Sequence, residues 1–333
     1  MSEQVPTLGA VGQDGSVGEQ TGGVQLWTGE QAPEPGTGRP VVTIGVFDGV
    51  HRGHQVVIGR AVALARAAGQ ACVVLTFDPH PATVLRPGSP VPTLASVQRR
   101  VALLGQAGAD AVWVLPFTTG LSLLSPRSFV TDVLLAHLRP SVVVVGANFR
   151  FGHRASGDVT TLSELGAAHD FTVEAVELTG LPGLPLWSST AVREHLATGD
   201  VDAAAAILGR PHQVDGVVVH GDHRGRGLGY PTANVAFAAD TAVPADGVYS
   251  GWLVRDGSQR LPAAISVGTN PTFDGVGRRV EVYVLDRTDL DLYGEQVGAA
   301  FAHRLRATQR FESVADLLAA VAADVATARQ QVG

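Results

Sequence analysis

Gly45-Val-Phe-Asp-Gly-Val-His-Arg-Gly-His54 closes a short apolar run, Val41–Phe47, and leads into a helix-like stretch, His54–Ala68. A buried strand, a glycine-bearing turn and a helix start form the opening unit of an α/β layer fold. In an open parallel sheet, ligands bind beyond the carboxyl ends of the strands, which is where this turn falls. Gly49 and Gly53 permit close backbone approach, and His51 and His54 stand three residues apart at the helix start, so both imidazoles can face one ligand. A helix N-terminus binds phosphate through free N–H groups and its positive dipole end, and paired imidazoles can donate hydrogen bonds to charge building on phosphorus. Metal ligation competes with this reading, but no third ligand lies nearby in sequence.

Toward the C-terminus the same alternation continues. Ala71–Phe77, Ala111–Leu115, Val142–Val145 and Phe171–Leu178 read as buried strands, and Arg99–Gln106, Pro126–Leu138 and Thr161–His169 as helices, with Ser125 a cap before Pro126. Upstream, residues 1–40 are rich in Gly, Gln, Pro, Thr and Glu without an apolar period, and are expected to form a disordered tail. A Pro/Gly/Trp segment, Leu181–Trp187, a helix over Thr190–Ala197 and the Ala-rich Val201–Leu208 mark a boundary. Beyond it, Val214–His220, Val248–Val254, Ala263–Val267, Val280–Leu285 and Val297–Leu305 read as strands of a compact antiparallel barrel, followed by an amphipathic helix over Ser313–Gln331. The chain thus divides into a tail (1–40), an α/β domain (41–200) and a β-barrel domain (201–333).

Composition agrees with two folded modules. The 333 residues exceed what one core of ~100–150 residues serves. Hydrophobic residues make up 45% and charged ones 17%, against a usual ~25% charged, which excludes a largely disordered chain. A net charge of -7 leaves no basic excess for extended nucleic-acid binding. The lone Cys72 excludes an intramolecular disulfide and a cysteine zinc cluster. No membrane span or signal peptide is legible, so the cytoplasm is expected. A homo-oligomer is compatible with the sequence.

Three further strand ends carry polar groups: Thr76-Phe-Asp-Pro-His-Pro81, Gly146-Ala-Asn-Phe-Arg-Phe-Gly152 and Trp187-Ser-Ser-Thr-Ala-Val-Arg193. Singly, Asp78 reads as a turn residue, Asn148 as a loop former and Ser188 or Ser189 as a helix cap. Together with the histidine pair they can ring one site, Ser189 and Thr190 supplying donors and Arg193 a guanidinium to a polyphosphate. With the histidine motif, these stretches resemble the adenylyltransferase module of bacterial bifunctional riboflavin kinase/FAD synthetases. The resemblance implies a Rossmann-like nucleotidyltransferase fold, in which His51 and His54 stabilise the ATP phosphates and Ser188, Ser189 and Arg193 take the polyphosphate-loop role. It also implies that Gly45, Phe47, Gly49, Asp78, Asn148 and Arg150 bind nucleotide or flavin. Ala191 departs from the family, where arginine is common.

The run Gly221-Asp-His-Arg-Gly-Arg-Gly-Leu-Gly-Tyr-Pro-Thr-Ala-Asn234 lacks the Gly-Lys-Ser/Thr end of a Walker A loop. It reads either as a hairpin connection or as a phosphate-binding loop. In an extended segment Thr232 and Asn234 point the same way and could ligate one Mg²⁺. In Arg279-Val-Glu-Val-Tyr-Val-Leu285, Val280, Val282 and Val284 share one face and put Glu281 with Tyr283 on the other. These stretches, with GVYSG, ISVGTNPTF and DLYG, resemble the riboflavin kinases from about Leu208 to Phe311. The resemblance implies that Thr232 and Asn234 hold Mg²⁺-ATP, that Gly225, Arg226 and Gly227 cover the phosphates, and that Glu281 is the base toward the ribityl hydroxyl. The expectation is an enzyme that converts riboflavin to FMN and FMN to FAD at the expense of ATP. The alternatives are one active module beside a flavin-sensing domain, and transfer to another phosphate ester.

Overall fold

A computed structural model of the protein describes residues 19–21, 23–29, 38–89, 91–177, 187–221, 229–272 and 275–333. Two short N-terminal strands, β1 (Glu19–Thr21) and β2 (Val24–Thr28), precede β3 (Val41–Ile44), β4 (Cys72–Asp78), β5 (Ala111–Pro116), β6 (Val142–Gly146) and β7 (Thr172–Val176). They form one sheet in the order β1-β2-β5-β4-β3-β6-β7, parallel from β2 to β7. Because β4 and β6 flank β3 on opposite sides, the strand order reverses at β3, and the crevice between the ends of β3 and β6 is the switch point where ligands bind.

The strands are apolar on both faces because each face is covered. Val42, Val73, Leu75, Trp113 and Val143 pack with Phe129, Leu134 and Leu162 on one side. The alternate residues Val74, Val112 and Val114 pack with Ile58, Val101 and Leu104 on the other. The expected helix from Pro126 does begin there, capped by Ser125, but Phe129–Leu135 is wound as a π-helix.

The expectation of a disordered tail over 1–40 does not hold for Val24–Thr28. Val24 and Trp27 are buried, Trp27 lies in register with Trp113 on β5, and Gly29 O accepts a 3.0 Å hydrogen bond from the Trp113 indole. Five residues between glycine-bearing stretches were too few to set a period against that composition.

The second half is a closed barrel of β8 (His212–Val219), β9 (Ala233–Ala236), β10 (Gly247–Arg255), β11 (Gln259–Thr272), β12 (Gly275–Val284) and β13 (Gln296–Arg306), in the order β10-β11-β12-β9-β8-β13. Strand β9 is one that the sequence concealed, since Pro231 and the turn residues before it mask its four-residue length. The last helix, Val314–Val332, is capped by Ser313 and lays Val325 and Ala328 against Ala264 and Leu285. Helices Ser189–Thr198 and Val201–Leu208 join the two halves: Val192, Leu196, Val201 and Leu208 share a buried cluster with Leu94 and with Val214, Tyr249 and Phe301 of the barrel.

Trp27→Ala is expected to lower the free energy of unfolding by roughly 3 kcal/mol, the cost of emptying a large buried aromatic site. Denaturant titration checks this; a change within error would return the segment to the status of a tail.

Candidate functional sites

The turn between β3 and the Arg52–Ala68 helix holds an unusual backbone. Phe47, Gly49 and Val50 all have positive φ, at 50°, 77° and 40°. That region suits glycine and strains a β-branched residue such as Val50. The turn persists because its carbonyls are held one after another. Val46 O accepts from Thr76 Oγ1 (2.9 Å) and Arg100 (3.2 Å), Phe47 O from Val50 N (3.0 Å), and Asp48 O from Ser189 Oγ (2.9 Å). Gly49 O accepts from Arg210, and Val50 O from Arg210 (3.1 Å) and Gln55 (2.9 Å). Gly49 is needed for space as well as for φ, since a Cβ there would sit 2.9 Å from Leu94 Cδ1. At Gly45 a Cβ would lie 2.9 Å from the Phe47 ring, which explains both positions as structural parts of the motif.

This turn delivers the histidine pair. His51 caps the helix, its Nδ1 accepting from His54 N at 3.3 Å, and the two rings stack 3.6 Å apart. Phe47 meets His54 edge-on at 5.2 Å. Burial, with the nearby charges of Arg210 and Arg193, holds His51 down to about 4. Burial, then His51 and Arg210, holds His54 well below the usual imidazole range. Both rings are therefore neutral near pH 7. With Nδ1 accepting, neutral His51 carries its proton on Nε2, where it can donate. His54 Nδ1 is buried with no hydrogen-bond partner among the described residues.

The second helix start comes to the same place. Ser188 caps Ser189–Thr198 by accepting from Ala191 N at 3.1 Å, and a Cβ on Gly53 would lie 3.3 Å from Trp187 O. Two helix N-termini thus converge beside the imidazoles, a setting for anions. Arg193 is drawn to Asp48, which is buried and also accepts from Leu94 N (2.9 Å) and Ala95 N (3.3 Å). The Arg193 Nε donates to Pro92 O at 2.6 Å.

Asp78, at the exposed end of β4, and Asn148, exposed just after β6, lie at the carboxyl ends of the two strands that flank β3. Arg150 is exposed and turned to Ala155 O (3.2 Å) and Asp158 (3.5 Å). Sequence reasoning passed over Asp48, Arg100 and Arg210 as holders of the turn. Asp48 was visible inside the motif; nothing local marks the two arginines.

In the barrel, Glu281 lies in register with Asn234 on β9 and Ser266 on β11. Val280, Val282 and Val284 point into the core, leaving Glu281 and Tyr283 half-buried on the outer face below the last helix. There a cavity of about 320 Å³ is lined by Tyr230, Thr232, Ser266, Glu281, Tyr283 and Phe311. A second, of about 410 Å³, is lined by Gly229, Pro231, Thr232, Arg287, Leu292 and Tyr293, so Thr232 belongs to both. The Asn234 amide lies over Gly221, where a Cβ would come within 2.2 Å of it. Gly225, Arg226 and Gly227 lie outside the described residues. Among the described residues no group of three or more His, Cys, Asp or Glu is placed to hold a metal, and no helix is long and apolar enough to cross a membrane.

Fold and sites together define a two-module nucleotide enzyme, with a His-x-Gly-His site on a parallel sheet and a carboxylate site on a barrel. The model of the FAD synthetase family matches residues 35–190 and that of the riboflavin kinase family residues 208–332. A bifunctional riboflavin kinase/FMN adenylyltransferase of Escherichia coli (strain K12) is 35% identical over 91% of this chain and 95% of its own. One of Pseudomonas fluorescens is 40% identical over 87% and 92%. A crystal structure described as a macrolide-efflux protein from Streptococcus pneumoniae superposes with a TM-score of 0.81, at 31% identity, over 91% of this chain and 98% of that one. The chain belongs to the family of bifunctional riboflavin kinase/FMN adenylyltransferases.

The histidine burial has a pH signature. His51 titrates at about 4 when folded and near 6.5 when free, so the unfolded chain binds more protons between these values. Its contribution is complete above pH ~6.5 and is lost toward pH ~4, at about 1.4 kcal/mol per pH unit. Denaturant unfolding across this window should show the loss, and because burial lowers His54 and His212 as well, His51→Asn should reduce the slope by about 1.4 kcal/mol per pH unit without abolishing it; an unchanged slope in the variant refutes the assignment.

Proposed function

We propose that the barrel phosphorylates riboflavin to FMN and that the sheet module joins FMN to AMP from ATP, giving FAD and pyrophosphate. What carries this reading is that each half of the chain builds its own site: a neutral imidazole pair at the switch point, and Glu281 in register with Asn234 beside an aromatic-lined cavity.

At the sheet, ATP lies with its phosphates against the two helix N-termini. The FMN phosphate oxygen attacks the α-phosphorus of ATP, and the bond to pyrophosphate breaks. His51 donates its Nε2–H to the non-bridging or leaving oxygens as their charge grows, and His54 and the Ser188 and Ser189 groups assist. Arg193 stays anchored on Asp48 and adds positive charge at the rim. Asp78 and Asn148 bind the flavin or nucleotide from the neighbouring strand ends. Arg150, exposed beyond β6, turns its guanidinium to Asp158 and would have to leave it to reach the nucleotide or flavin.

At the barrel, the flavin ring enters the cavity with Tyr230, Tyr283 and Phe311, and the nucleotide the one with Gly229 and Tyr293. Thr232, lining both, stands where the two substrates meet. Glu281 takes the proton of the ribityl hydroxyl as its oxygen bonds to the γ-phosphorus and ADP leaves. The hydroxyl of Thr232 and amide oxygen of Asn234 are hard donors that would hold Mg²⁺, which would screen charge on the phosphates. Gly225, Arg226 and Gly227 cover the phosphates on the strength of the motif. A cytoplasmic setting fits ATP as co-substrate and a lone, buried Cys72, whose thiol burial pushes up to about 12 and leaves unreactive.

Chromatography of products from riboflavin, ATP and Mg²⁺, and separately from FMN, ATP and Mg²⁺, tests both steps. His51→Ala or His54→Ala should lower FAD formation by about 10²–10³-fold while FMN formation continues. Glu281→Gln should lower FMN formation by about 10²–10⁴-fold while FMN is still adenylylated. A variant that loses both activities equally, or neither, counts against its assigned role.

A further inference from the structure

Arg210 lies outside the α/β layers. It follows Gly209, the left-handed C-cap of the Val201–Leu208 helix, and precedes β8, within the stretch matched by the riboflavin kinase model. Yet its guanidinium turns back to the histidine turn, donating to Gly49 O and, at 3.1 Å each, to Val50 O and Leu208 O. The Gln55 amide bonds to the same Val50 and Leu208 carbonyls at 2.9 and 3.0 Å, and Arg52 donates to Ala206 O at 2.9 Å. The start of one helix is thereby laced to the end of another through a shared fork.

All three acceptors of Arg210 are neutral. Among the described residues no carboxylate stands within ion-pair distance of it, and burial is the chief cause that lowers its guanidinium to about 10. A buried cation without a counter-ion is costly. The carbonyl end of the Val201–Leu208 helix offsets part of that cost through its partial negative charge. Arg99 adds a second positive charge nearby, and the groups that feel the field of Arg210 are His51, His54 and His212.

We infer that Arg210 is a positioning residue for adenylyl transfer, contributed across the module boundary: it fixes the strained Phe47–Val50 turn that carries His51 and His54 and supplies an unneutralised positive charge beside them. The inference rests on the assignment of FAD formation to the sheet module. It makes that site incomplete without a residue that the barrel's own segment delivers.

The full chain carrying Arg210→Gln or Arg210→Lys tests this, with the kinase reaction of the same protein as the fold control. Arg210→Gln should lower kcat/KM for ATP in FAD formation by about 10²-fold, the scale of a ~1 Å misplacement of catalytic groups, while FMN formation stays at its wild-type rate. Arg210→Lys, keeping the charge and losing the fork, should recover about tenfold of that loss. In histidine-labelled protein, NMR titration of His51 should move up toward the ordinary imidazole range in Arg210→Gln and less in Arg210→Lys. Wild-type FAD formation in Arg210→Gln, parallel loss of both reactions, or an unmoved His51 titration would each overturn the inference. Should Arg210→Gln not fold, loss of FAD formation with retained kinase activity in Arg210→Lys decides the matter. If the wild-type protein makes no FAD, the assignment of the reaction fails, and the titration still judges the positioning role.

Discussion

Five consecutive carbonyls, Val46 to Val50, are each claimed by a donor: one donor is the turn's own Val50 N, and the others come from β4, from three helices and from the entry to the barrel. No regular ladder could make these bonds, because the chain there is neither strand nor helix. The strained dihedrals of Phe47 and Val50 survive only under such over-determination, since one or two lost bonds would let the turn relax to common backbone. Because the turn decides where the Arg52–Ala68 helix begins, it also decides where the imidazoles stack and which nitrogen carries a proton. The geometry of the histidine turn is thus a property mainly of long-range tethers and only secondarily of the local sequence.

That division explains what could be read in advance. The strand pattern of the α/β half was plain because buried parallel strands are apolar on both faces, as with Val41–Ile44 and Val142–Val145. The histidine pair was plain because three glycines and two imidazoles share ten residues. Asp78, Asn148 and Ser188 could be set at strand or helix ends in advance because position in the sheet follows from order along the chain. Arg100 and Arg210 were not found: each acts through carbonyls more than 20 residues away, and an arginine in a helix or connector looks like any solvated cation. Strand β2 was lost to composition, and β9 to its shortness and to the proline before it.

In the barrel, strand pairing sets the place of the carboxylate. Alternation along β12 forces Glu281 outward when its valine neighbours turn inward, and register sets it opposite Asn234. The last helix then roofs that outer face and converts it into a chamber. Two unrelated solutions to phosphate chemistry coexist in one chain, one assembled by scattered hydrogen bonds and the other by strand pairing.

The β1–β2 hairpin has a consequence of another kind. Without it, Ala111–Pro116 would be the terminal strand of the sheet, presenting a flat, apolar row of unpaired amides with Trp113 at its centre. Such an edge is a template for sheet-to-sheet association between molecules. By pairing in parallel with that strand and then folding back as a three-residue antiparallel stub, the N-terminal segment ends the sheet in a short strand that offers little to a neighbour. Trimming the chain to its enzymatic modules would therefore be felt first as a loss of colloidal stability.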